Sequence, residues 1–416
     1  MKKSKKYLII LLIITLGVIL IFHKYIEFSL VNKDYYRILA EAHRIRGNYD
    51  KVLECYDDEI QNKLGYIYAY TNLGSLYKTK GEYKQAIEYF EKALQISKDN
   101  AQAYNNISNI YMSQGNTKKA IQYCNKAIKN IPSSTDAYRY LGRLYRSQGD
   151  YDKALTYFNK AFELNKSNPD VCNNIAGIYK KKSEYKQAIE YYNKAVKIEP
   201  ASTNSYIGLG RIYKIQGDYD KAIAYLQKAV YFDKSRYKIY IEIGDIYRIQ
   251  SEYNKAEEYY IKATKGGPGF YDGYLSLGHL YKKQGLYDKS MEYFKKASEC
   301  DKSISGIYNN IGDIHRISAE YDKTIDYYNK AIESEPSSTD AYIYLGRLYR
   351  SQGDYDKALT YFNKALELNK SNPDIYLALG QIYIEIKDEE HLLDLIKRLE
   401  ILEMHHYADI LAKHTK

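Results

Sequence analysis

A small residue returns every 34 positions through most of this chain: Gly74, Ser108, Gly142, Ala176, Gly210, Gly244, Gly278, Gly312, Gly346 and Gly380. Three places later stand Tyr77, Tyr111, Tyr145, Tyr179, Tyr213, Tyr247, Tyr281, His315, Tyr349 and Tyr383. Nineteen places after the small residue, alanine is unbroken from Ala93 to Ala365. No insertion disturbs the register from 67 to 372. Such a period restricts the fold to stacked units, each too small to bury its own apolar face. Within a unit, Tyr70, Leu73, Gly74 and Tyr77 fall at i, i+3, i+4 and i+7, one face of a helix. Gly81 ends that helix, and Ala86, Phe90 and Ala93 carry the same spacing into a second. The small residues let the two helices approach, and Tyr and Phe fill the space between turns.

The segment Tyr138-x-x-Leu141-Gly142-x-x-Tyr145, with Ala154, Phe158 and Ala161, resembles the tetratricopeptide repeat (TPR) family. Tyrosine stands where that family usually has tryptophan. Proline at the repeat junction alternates (Pro132, Pro200, Pro268, Pro336), which gives a second period of 68 residues. The resemblance implies an all-α, right-handed TPR solenoid with first helices lining a concave wall. Repeats start at 33, 67, 101, 135, 169, 203, 237, 271, 305, 339 and 373 and run to 406, the first and last being degenerate; a solvated tail is expected over 407–416. Segments 133–170 and 337–374 differ only at Arg139/Ile343 and Phe162/Leu366, which looks like duplication of whole units. The run Gly266-Gly267-Pro268-Gly269 falls at a repeat junction and reads as a flexible joint rather than a phosphate cradle.

The N-terminus has its own composition. MKKSKK (1–6) is a basic tail, and Tyr7–Phe22 carries no charge. With Tyr25, Ile26 and Phe28 it makes 7–28 an uncleaved transmembrane signal-anchor, followed by a linker at 29–32. Four lysines ahead of the span place the N-terminus in the cytoplasm, with the repeats outside the cell membrane in a single-pass arrangement. The net charge is +10, but only +6 remains after residue 32, too dilute for a nucleic-acid binder. Cys55, Cys124, Cys172 and Cys300 contain no CxxC and read as small buried residues.

No P-loop, HExxH, GxSxG or GxGxxG pattern occurs, so neither an enzyme nor a cofactor site is expected. His405, His406, Asp409 and His414 suggest at most a weak metal site on a frayed end. The family resemblance puts positions 2, 5, 9, 12 and 13 of each first helix on the wall. Position 12 reads Arg44, Lys78, Met112, Arg146, Lys180, Lys214, Arg248, Lys282, Arg316, Arg350 and Ile384, a basic rail. Position 2 is often acidic, as at Asp34, Asp136, Asp170, Asp272, Asp340 and Asp374. Two readings stand side by side. Acids in the first turn and bases in the last suit the helix dipole. Alternatively, the rail holds carboxylates of a partner.

Asparagines Asn72, Asn105, Asn106, Asn109, Asn173, Asn174, Asn309 and Asn310 join the wall. Their amides suit the backbone of an extended peptide. This interrupted ladder is similar to the substrate-holding superhelix of O-GlcNAc transferases, without their transferase domain. The chaperone-tail clamp of some TPR modules is not spelled out by any three successive repeats. The expected function is a membrane-tethered scaffold for a protein or peptide partner, preferably an extended acidic segment, with no small-molecule substrate. The alternative is an accessory in envelope polysaccharide assembly or export, in which exposed tyrosines stack on sugar rings.

Overall fold

A computed structural model describes residues 39–41, 43–44, 47–61, 66–267 and 270–415. The tail, anchor and linker expected over 1–32, and Asp34, lie outside the described residues. Two compact units divide the chain, with the boundary between Gly208 and Leu209. Among the described residues there is α-helix after α-helix and no β-strand.

In the first unit, Tyr49–Gln61 precedes the pairs Tyr66–Thr79 with Tyr83–Ile96, Ala101–Ser113 with Thr117–Asn130, Thr135–Ser147 with Tyr151–Leu164, and Pro169–Lys181 with Tyr185–Ile198. The second unit holds Tyr219–Phe232, then Tyr237–Ile249 with Tyr253–Ala263, Tyr271–Lys283 with Tyr287–Cys300, Ser305–Ile317 with Tyr321–Ser334, Thr339–Ser351 with Tyr355–Leu368, and Pro373–Glu385 with Glu389–Ile401. The unit boundary falls inside Thr203–Ile215.

Each first helix ends in the same way. Gly81 takes φ +80°, its amide donates to the Lys78 carbonyl, and the Glu82 amide donates to the Tyr77 carbonyl at 2.9 Å. That left-handed closure satisfies the last carbonyls of the helix. Ser183, Ser251, Ala319 and Lys387 occupy the same place with φ between 57° and 63°. A side chain in this region costs roughly 1–2 kcal/mol. Ala319→Gly should therefore raise stability by about 1 kcal/mol, read as a higher urea midpoint at unchanged slope.

The recurring small residue is explained by what faces it. A Cβ on Gly142 would lie 2.7 Å from the Phe158 ring, and one on Gly278 would lie 2.5 Å from the Phe294 ring. The ring comes from the second helix of the same repeat. Where that position holds the smaller Cys124, the first helix carries Ser108 instead of glycine. The core then crosses from one repeat to the next: Ala154, Phe158 and Ala161 of one pack with Val171, Ile175 and Ile178 of the following repeat, all fully buried. Burial is thus shared between neighbours.

One detail differs from the sequence reading. The C-terminal residues are not a frayed tail: His405–Ala412 is a helix whose Ala408 and Leu411 join the last core cluster. Leu411 packs against Gly380, 2.6 Å from where a Cβ would stand. It stands where Phe158 stands against Gly142 and Leu226 against Gly210 in other repeats. At the glycine-rich junction, Thr264–Gly266 continues Tyr253–Ala263 as a 3-10 turn before Gly267 at φ +101°.

The candidate binding wall

Within each unit, contacts between successive first helices recur, whereas successive second helices make at most marginal ones. First helices are therefore the inner layer, and their exposed positions form the wall.

The rail cations lie in the last turn of their helices, as at Lys78, Arg146, Lys180, Lys214, Arg248, Lys282, Arg316 and Arg350. Most are engaged within the protein. Lys78 Nζ donates to Asn106 Oδ1 at 2.8 Å, Arg146 Nη1 to Asn174 Oδ1 at 2.7 Å, and Lys282 Nζ to Asn310 Oδ1 at 3.2 Å. Each of these asparagines also donates its amide back to the carbonyl one turn earlier: Asn106 to Gln102, Asn174 to Asp170, Asn310 to Gly306. Cation and asparagine thus form a staple from one repeat to the next. Asn72 differs: its Nδ2 is buried without a hydrogen-bond partner. Burial pulls the Lys78 ammonium below its usual range. It does the same to the Arg146 guanidinium, helped by the nearby charge of Arg143.

Carboxylates take up other cations. Arg350 forks onto Glu385 with Nη2 at 2.8 Å. Arg248 meets Asp245 at 3.4 Å, and Lys282 reaches Asp313 at 3.0 Å. Asp245 and Asp313 were not among the residues the sequence singled out. Both accept a hydroxyl: Tyr260 Oη donates to Asp245 at 2.8 Å and Tyr328 Oη to Asp313 at 2.9 Å. In these two repeats the ring against the glycine is tyrosine rather than phenylalanine, and its buried hydroxyl needs an acceptor. The signal was present in the sequence, since aspartate occupies that wall position only where tyrosine occupies the facing one. Burial opposes the Asp313 carboxylate, but Lys282, the Tyr328 hydroxyl and Arg316 outweigh it and hold its pKa below the ordinary range.

The tyrosine excess has a structural account. The conserved-period tyrosine stacks on a second one from the following helix, as in Tyr77–Tyr89, Tyr145–Tyr157, Tyr213–Tyr225 and Tyr349–Tyr361, with centroids 5.3–5.5 Å apart. Lysines cover them: Lys153 lies 5.4 Å over the Tyr145 ring, and Lys92 lies 4.9 Å over Tyr89. One face of each of these rings is occupied by the protein itself.

Models of the tetratricopeptide repeat match residues 67–100, 99–167, 171–234, 237–265, 271–303, 305–338 and 327–360, and a TPR repeat model matches 346–386. The chain belongs to the tetratricopeptide repeat family. No curated protein matches its sequence. Among solved structures, yeast Tom70 is similar at 18% identity over 93% of this chain and 96% of its own, with a TM-score of 0.48. PilF of Pseudomonas aeruginosa shares 22% identity over 54% of this TPR chain and 99% of its own, with a TM-score of 0.45. A MamA protein shares 29% over 42% and 94%, with a TM-score of 0.37.

Among the described residues, no helix is long and apolar enough to cross a membrane, and no group of three or more His, Cys, Asp or Glu is placed to hold a metal ion. Cys55, Cys124 and Cys172 are buried and Cys300 half-buried, all as free thiols.

Proposed function

We propose that this TPR protein is a non-enzymatic scaffold whose first-helix wall engages an extended acidic segment of a protein partner. The observation that carries this reading is the surplus of cations on the wall. After the internal pairs are counted, Lys214 and Arg347 make no hydrogen bond or ion pair with described residues, and the Arg146 guanidinium has only the neutral amide of Asn174 as its hydrogen-bond partner among them. Unpaired guanidiniums beside a peptide favour carboxylates through charge-assisted, forked hydrogen bonds. The staples described above also hold successive first helices in fixed spacing, which suits an extended ligand.

The test uses the full-length chain in detergent and two labelled ten-residue peptides, one of glutamate and one of glutamine. The glutamate peptide should bind, with affinity falling as salt rises, and the glutamine peptide should not. Equal affinity for both would remove the acidic-segment reading.

The uncharged run Tyr7–Phe22 behind four lysines supports a single membrane anchor with the repeats outside the cytoplasm. The full chain should stay with membranes through an alkaline wash, and deletion of residues 1–28 should release it. Release of the full chain in that wash would count against the tether.

A further inference from the structure

A cavity of about 410 Å³ is lined from Ser305–Ile317, Tyr321–Ser334 and Thr339–Ser351, by Asp313, Arg316, Tyr321, Tyr328, Tyr344 and Arg347 among others. It lies wholly within the second unit. Its carboxylate is already committed: Asp313 accepts from Lys282 Nζ at 3.0 Å and from Tyr328 Oη at 2.9 Å. Arg316 meets that carboxylate through Nε at 3.4 Å, lies beside the Tyr328 hydroxyl, and is itself exposed. Arg347 is exposed and forms no hydrogen bond or ion pair with described residues. Arg316, Arg347 and Tyr344 thus share one lining. Tyr344 itself lies 5.5 Å, centroid to centroid, from the Tyr328 ring.

The duplicated segment supplies an internal comparison. Tyr140 and Arg143 correspond to Tyr344 and Arg347, but the preceding repeat offers Met112 where the cavity has Arg316. In that copy Arg139 pairs with Asp136 at 2.8 Å and lies 5.1 Å over the Tyr140 ring. Ile343 replaces Arg139 in the second copy and turns inward, 6% exposed. The first copy thus lays both of its guanidiniums, Arg139 and, at 5.9 Å, Arg143, over its own Tyr140 ring, whereas the second sets Arg316 and Arg347 in the lining of the cavity.

The geometry points to this cavity as the seat of one carboxylate side chain of an acidic peptide partner, held between Arg316 and Arg347 with its aliphatic stem against Tyr321 and Tyr344. The inference rests on the acidic-segment reading above and adds the place where such a segment is fixed in register. A carboxylate fits the charge of the lining. With Asp313 already paired to Lys282, the guanidiniums of Arg316 and Arg347 leave the lining positively charged, which suits a glutamate side chain. The planar fork of arginine matches a carboxylate in a way that a lysine point charge does not.

The experiment measures binding of the labelled ten-residue glutamate peptide to the full-length chain and to Arg347→Gln, Arg347→Lys and Arg143→Gln variants, with far-UV circular dichroism as the check on folding. Arg347→Gln should weaken binding about ten-fold, as expected for losing one charge-assisted pair. Arg347→Lys should restore only part of that, and Arg143→Gln, which removes the same charge from the copy whose second guanidinium is already paired with Asp136, should change affinity less than about two-fold. Equal losses in Arg347→Gln and Arg143→Gln would overturn the cavity assignment, because diffuse charge would then explain binding, while the acidic-segment reading would survive. Failure of the unmodified chain to bind the peptide would overturn both.

Discussion

Phe158→Ala should lower the stability of the first unit by about 3–5 kcal/mol. The ring is fully buried between Gly142 of its own repeat and the next repeat's Val171, Ile175 and Ile178. Removing it opens a void that glycine cannot help to fill, since Gly142 has no side chain to move inward. Stacked repeats couple to their neighbours, so the loss should spread beyond the mutated repeat. Hydrogen exchange should speed up in Thr135–Ser147 and Pro169–Lys181 as well as in Tyr151–Leu164. Urea denaturation followed by circular dichroism supplies the magnitude. A loss below about 1 kcal/mol would mean the glycine–ring contact does not hold the repeat together.

Asp313→Ala is expected to cost about 2–3 kcal/mol, because it strands the Tyr328 hydroxyl and leaves Lys282 with Asn310 alone. Tyr328→Phe by itself should cost about 1 kcal/mol, and the double variant should lose less than the sum of the two. Strict additivity would show that hydroxyl and carboxylate do not depend on each other. The sign with pH follows from the depressed carboxyl of Asp313. Its contribution is complete above the unfolded value of about 4 and disappears as pH falls through the lower folded value. The gap between the native chain and Asp313→Ala should therefore be constant near neutrality and close only in acid.

The helix pairs were legible in the sequence because their cause is local and repeated. Gly142 facing Phe158, or Gly81 closing Tyr66–Thr79, leaves the same mark every 34 residues. The closing helix His405–Ala412 was hidden because it belongs to no repeat: its Leu411 meets Gly380 from outside the period. The rail was readable as a row of charges, but not as staples, since the partner of Lys78 is Asn106, a residue 28 places further on. That spacing is fixed by how repeats stack, not by either helix alone. The cavity at Arg316 and Arg347 was harder still. It depends on which repeat precedes the duplicated segment, and on Ile343 turning inward where Arg139 does not.

Hydrogen exchange on the full-length chain, with and without the ten-residue glutamate peptide, tests the central claim most directly. Binding along the inner layer predicts protection gathered in first helices, with Ser305–Ile317 and Thr339–Ser351 the strongest. Protection confined to second helices such as Tyr321–Ser334 and Tyr355–Leu368, or none at a saturating peptide concentration, would contradict it.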